Sequence, residues 1–165
     1  MILYTHRFET PCGEMLAAVN AEGALTYLNF RDDDTGAAML FPNDQVREDA
    51  ERCASVVAQL NAYFCGERRE FELPLAASGT PFQHQVWEAL QRIPYGTTLS
   101  YGQLAAQLGN ANASRAVGRA NATNPIAVVV PCHRVIGSGG KLTGYAGGLT
   151  RKETLLQLEQ QRRAG

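Results

Sequence analysis

A chain of 165 residues is long enough for one domain or two small ones, and its 45% apolar share can bury a core, which argues against a disordered protein. No stretch approaches the roughly 18 uninterrupted apolar residues of a membrane span, and the start, MILYTHRFET, has no apolar core of the signal-peptide kind. The net charge of −1 conceals a split: residues 1–78 carry six Arg against thirteen Asp or Glu, net −7, and residues 79–165 carry nine Lys or Arg against three Glu, net +6.

Such asymmetry suits the second half to a polyanion, unless surface charge has merely segregated between domains. Cys12, Cys53, Cys65 and Cys132 show neither a CxxC pair nor a framework spacing. They point to free thiols in a reducing compartment, hence a cytoplasmic protein.

In chain order, ILYTHRF, MLAAVN and ALTYLNF are rich in strand formers and are separated by TPCG and AEG, which predict turns. DDDTGAA predicts an exposed loop. From Asn43 to Phe64 the period becomes helical, with Val46, Ala50, Cys53, Val57, Leu60 and Phe64 on one face and Gly66 near the end. Cys53 is thereby a core residue. Cys65 falls at the helix end and Cys12 in a turn, neither beside a basic residue that would activate it. LPLAASGTP predicts a linker.

The second half predicts helices. Thr80 is an N-cap and Pro81 a first helical residue, with Phe82, Val86 and Leu90 along one face until IPYG. His84 lies off that stripe, and no Cys/His cluster accompanies it, so no metal site is expected. Ser100 and Gln103 form an S-x-x-Q capping box ahead of a short helix with Leu104 and Leu108 inward, ended by Gly109. ASRAVGRAN then makes a second short helix. This is the spacing of a helix-turn-helix, although plain helical hairpins share it. Ala113, Ser114, Ala116, Gly118 and Ala120 leave the second helix nearly bare, with Arg115 and Arg119 standing out. Such a helix can approach either a neighbouring helix or a nucleic-acid groove closely. The terminal LTRKETLLQLEQQRR is amphipathic, with Leu155, Leu156 and Leu158 as its stripe and Glu159 on the edge of that face.

The chemistry concentrates in IAVVVPCHRVIG. AVVV predicts a buried strand that Pro131 terminates, holding Cys132 at the end of a rigid element. A free thiol, with a pKa of about 8.5, needs a base or a cation to ionise at neutral pH. His133 offers a base, Arg134 a charge, and Glu159 a carboxylate to orient the base. Neighbours on a strand point opposite ways, so Cys132 and His133 cooperate only through a bend after Pro131 or a bridging water. A thiol hydrolase, a redox-sensing helix-turn-helix DNA binder using Cys132, and a structural cysteine all remain open on these residues.

PCHRVIG resembles the active-site motif of the O6-alkylguanine-DNA alkyltransferases, or methylated-DNA–protein-cysteine methyltransferases. SYGQLA, SRAVGRAN, NP, GKLTGYAGG and RKETLLQLE resemble the same family in order and spacing, strongly from Thr80 to Glu159. TPCGEM and LNAYFCGE resemble it weakly in the first half.

The resemblance implies an α+β protein. A small N-terminal α/β domain with an antiparallel, ribonuclease-H-like sheet would span residues 1–73, with a linker at 74–79. A mostly helical, winged-helix-like domain with the helix-turn-helix would span 80–165. It implies irreversible, single-turnover transfer of an alkyl group from O6-alkylguanine in duplex DNA, with O4-alkylthymine left open, and no cofactor or metal. Cys132 matches the acceptor, His133 the base acting through water, Glu159 its orienting carboxylate, and Asn124 a brace at the join between the helix-turn-helix and the active-site strand. Tyr101 matches the tyrosine that helps extrude the nucleotide and hydrogen-bonds the leaving guanine. Arg115 matches the arginine that fills the stack. Ser114, Ala116, Gly118 and Arg119 share its helix, which enters the minor groove. Tyr101, Val135, Tyr145, Ala146 and Asn121 match the pocket. Ala146 stands where the family often has serine, and Asn121 where some relatives carry a bulky apolar residue. A monomer is implied, cytoplasmic and nucleoid-associated on DNA, with cooperative binding left open.

Overall fold

The structure is a computed structural model and describes residues 1–163. The chain forms two compact units that divide between Ser78 and Gly79.

The first unit is built on β1 (Ile2–Thr10), β2 (Gly13–Val19), β3 (Leu25–Phe30), a one-turn helix α1 (Ala37–Leu40), β4 (Gln45–Glu48) and α2 (Ala54–Phe64), with sheet order β3-β2-β1-β4. The three predicted strands form an antiparallel meander through the predicted turns. A fourth strand adds a parallel edge to the expected antiparallel meander: β4 runs parallel to β1, pairing Leu3 with Val46. It also shortens the helix predicted over Asn43–Phe64. Val46 and Ala50 satisfy a helical period, but the free edge of β1 takes Gln45–Glu48 as a strand, and the helix begins only at Ala54. Met15–Val19, Leu25 and Leu28 form the core with Val56, Leu60 and Tyr63 of α2, and Cys53 is fully buried at the helix start. Residues of the predicted linker are partly tied down, because Leu25 donates to the Pro74 carbonyl at 2.7 Å and Ala76 to that of Leu25 at 2.8 Å.

The second unit contains α3 (Pro81–Gln91), β5 (Leu99–Ser100), α4 (Tyr101–Gln107), α5 (Ser114–Ala122), β6 (Val135–Ile136) and α6 (Leu149–Arg163). Thr80 caps α3 reciprocally with Gln83, and Pro81 occupies its first turn. The buried face is Val86, Trp87, Ala89 and Leu90, whereas Phe82, expected inward, is 37% exposed. Two hydrogen bonds set this rotation: Trp87 Nε1 donates to Ala120 O at 2.9 Å, and Gln83 Nε2 to Thr123 Oγ1 at 3.0 Å. Gly79 is required at the entrance, since a Cβ there would lie 2.5 Å from Trp87 Cη2. Ser100 and Gln103 form the predicted capping box on α4, and Gly109, at φ +81°, turns the chain toward α5.

AVVV is not a strand. Residues 127–129 form consecutive turns and Val130 a bend between the single β-bridge residue Ile126 and Pro131. β-branched residues favour strands only where an edge is available to pair with. Here β6 comes later and pairs in parallel with β5, matching Leu99 to Val135 and Ser100 to Ile136. That pairing brings the first residue of α4, Tyr101, beside the segment that follows Cys132.

Candidate active site

The cysteine is held by two tight turns and an amide. Val129 N donates to Ala127 O at 2.8 Å across Val128, whose φ is +71°, and Cys132 N donates to Val130 O at 2.8 Å across Pro131. A β-branched residue at positive φ is strained. Asn124 supports the arrangement: its Nδ2 donates to Ile126 O at 3.2 Å and Val130 O at 2.9 Å, and its Oδ1 accepts from Ile126 N at 3.1 Å. The hydrogen bonds of Asn124, the residue for which a brace was implied, go to a turn and not to a strand. Pro131 delivers the chain into a single 3₁₀ turn, Cys132–Arg134, so a bend does follow Pro131.

Behind that turn lies a buried ion cluster. His133 Nε2 lies 2.7 Å from Glu159 Oε2, and Arg134 grips the same carboxylate through Nε at 2.8 Å and Nη2 at 3.0 Å. Arg134 Nη1 donates to Ile93 O at 2.7 Å, and Gly96 N to Glu159 Oε1 at 3.3 Å. His133 and Glu159 are fully buried. Burial alone would raise the carboxyl, but hydrogen bonds and charge from His133 and Arg134 hold Glu159 well below the usual carboxylate range. Burial pushes His133 below its ordinary value against the opposing pull of Glu159. A neutral ring beside an ionised carboxylate donates from Nε2, which leaves Nδ1 as an acceptor; Nδ1 is buried and has no hydrogen-bond partner among the described residues. Arg134, which sequence reasoning offered as a charge for the thiol, serves the carboxylate instead.

Cys132 is 6% exposed, and burial raises its thiol, opposed by the Asn124 amide and the charge of Lys152. Lys152 was not singled out from sequence, yet it is fully buried, with Nζ 2.6 Å from Val135 O and 2.7 Å from Thr143 O. The signal was available: the inward line of α6 is Lys152, Leu155 and Glu159, spaced as i, i+3 and i+7, whereas Leu156 and Leu158 of the expected stripe are only half-buried.

The other site residues are distributed unevenly. Tyr101 is half-buried, accepts a hydrogen bond from Thr143 Oγ1 at 3.3 Å, and lies over Gly118, where an added Cβ would meet its ring at 3.8 Å. Asn121 is buried and donates to Cys132 O at 3.4 Å. Val135 is fully buried, Tyr145 half-buried and Ala146 exposed. On α5, Arg115 and Arg119 are exposed, while Ser114, Ala116 and Gly118 are half-buried. Among the described residues, no group of three or more His, Cys, Asp or Glu is arranged to hold a metal, and no helix is long and apolar enough to cross a membrane.

Two family models match this chain. One, described as the ribonuclease-like domain of 6-O-methylguanine DNA methyltransferase, covers residues 3–77, and the other, its DNA binding domain, covers residues 81–161. A methylated-DNA–protein-cysteine methyltransferase of Methanosarcina acetivorans is 51% identical over 157 residues, 95% of this chain and 98% of that protein. One of Mycolicibacterium paratuberculosis is 60% identical over 113 residues, 68% of each chain. The crystal structure of Mycobacterium tuberculosis OGT in complex with DNA aligns with a TM-score of 0.84 at 44% identity, over 96% of this chain and 94% of that one.

Proposed function

The chain belongs to the 6-O-methylguanine DNA methyltransferase family, and from that premise we propose that it repairs DNA by direct reversal, moving the alkyl group of an O6-alkylguanine onto Cys132. The observation that carries this reading is the bare Nδ1 of a buried His133 whose Nε2 is fixed on Glu159, one residue from the thiol. The Cys132 S–H proton passes through one water to His133 Nδ1, and Glu159 stabilises the imidazolium that results. A sulfur lone pair forms the new S–C bond as the alkyl C–O6 bond breaks, and the electron pair of that bond remains on guanine. The guanine takes a proton from the Tyr101 hydroxyl, which regains one from solvent as His133 releases its own. The product is a thioether, which offers no leaving group to displace, so each chain acts once.

Duplex DNA is the partner. The exposed Arg115 on the lightly clad α5 suits insertion into the stack from the minor groove while the damaged base rotates out. Val135, Tyr145, Ala146 and Asn121 border the pocket for that base, and the protein works as a cytoplasmic monomer. Intact-mass measurement after mixing with a duplex containing O6-methylguanine tests the reading. One methyl per chain on Cys132 is expected, with none on Cys132→Ser, which still binds DNA. Methylation of another cysteine at a comparable rate, or a modification that thiols reverse, would sink it.

A further inference from the structure

Lys152 lies among groups whose charges are otherwise balanced. Arg134 neutralises Glu159, and burial pushes His133 toward its neutral form. Lys152 has no carboxylate partner among the described residues; its ammonium donates to two backbone carbonyls. An ammonium has three protons, so these acceptors leave one unassigned. A buried cation without an anion is costly, and sites that retain one commonly use it. The two carbonyls belong to the segments on either side of the reaction centre: Val135 lies three residues after Cys132, and Thr143 lies two before Tyr145. Thr143 also donates from Oγ1 to the Tyr101 hydroxyl. A hydroxyl that already accepts keeps its own proton for another acceptor.

We infer that Lys152 is a positioning residue for alkyl transfer: its ammonium ties Val135 to Thr143 and supplies the charge that favours the Cys132 thiolate, while Thr143 aims the Tyr101 hydroxyl. This rests on the reading of Cys132 as acceptor. No proton moves through Lys152; its contribution is electrostatic. The charge of each group favours the ionised form of the other, against burial that opposes both. The remaining groups around the thiol are His133 and Arg134 on its own turn, Glu159 of α6 and the Asn124 amide. From α3, which also packs against this turn, the buried residues are Val86, Trp87, Ala89 and Leu90, and Glu88 is exposed.

The test combines single-turnover alkylation across pH with titration of labelled lysine ammonium groups by NMR. Lys152→Met is expected to move the rate profile upward by about one pH unit, lowering the neutral-pH rate roughly tenfold, with partial recovery in Lys152→Arg. Thr143→Val is expected to lower the plateau rate without moving the profile, and Thr143→Ser to restore it. In the otherwise native chain, Cys132→Ser is expected to shift the Lys152 titration to lower pH. A Lys152→Met profile that stays in place while only the melting temperature drops overturns the inference. If that variant does not fold, an unmoved Lys152 titration in Cys132→Ser overturns it instead. Absence of methyl on Cys132 in the unsubstituted chain overturns the parent reading, and the lysine titration still decides the coupling.

Discussion

Replacing Glu159 with Gln removes one charge from a cluster in which nothing else can substitute for it. The carboxylate accepts from Arg134 at 2.8 and 3.0 Å, lies 2.7 Å from His133 Nε2, and accepts from Gly96 N at 3.3 Å. An amide offers one oxygen, and its NH₂ would face an N–H of Arg134 or His133. The guanidinium, 6% exposed, is left without its counter-charge. Removing one partner of a buried pair costs about 3–5 kcal/mol. For a domain of this size each kcal/mol lowers the melting temperature by about 4–8 °C, so a drop of at least about 12 °C is expected. The alkylation rate should fall as well, because His133 loses the acceptor that fixes its tautomer. The pH dependence has a definite sign. The folded-state pKa of Glu159 is depressed, so its stabilisation is fully present above the unfolded value of about 4.3 and is lost as pH falls below it. Melts from pH 7 to pH 2 should therefore show acid destabilisation in the native chain that is reduced in Glu159→Gln. The double change Arg134→Met with Glu159→Leu should recover much of the stability but not the rate. A Glu159→Gln variant that melts and alkylates like the native chain would refute the reasoning.

Asn124→Ala strips the turn before Cys132 of three buried hydrogen bonds, at ~1–3 kcal/mol for each group left unsatisfied; denaturant melts should show a loss of at least that size, with slowed alkylation. Val128→Gly should cost less than Val130→Gly by about 1 kcal/mol or more, because both bury a valine but only Val128 releases a positive φ. Equal losses in chemical denaturation would remove the claim of strain. Arg115→Ala should repair duplex DNA roughly tenfold more slowly or worse and lose less on a single strand, where the few kcal/mol of unstacking are smaller. Parallel single-turnover assays on the two substrates check this.

The local features were legible because their causes are local. The Ser100–Gln103 capping box, the Thr80 cap, the turns at TPCG and AEG, and the inward edge position of Glu159 follow from side chains within a few residues of one another. The grouping of Cys132, His133 and Glu159 came from residue chemistry and the family resemblance together. Competition between distant segments was not legible. Gln45–Glu48 satisfies a helical period, and only the open edge of β1 makes it a strand. AVVV has every strand preference, yet with no edge to join it is bent into turns around the Asn124 amide. The partners of the buried charges were decided in the same way. Arg134 stands next to His133 in sequence but turns to Glu159, and Lys152, written among charged residues, is drawn inward by the carbonyls of Val135 and Thr143. Propensity and period act over one or two turns of chain. The cost of burying a charge or leaving a strand edge unpaired depends on partners tens of residues away, and only the packed molecule brings those partners together.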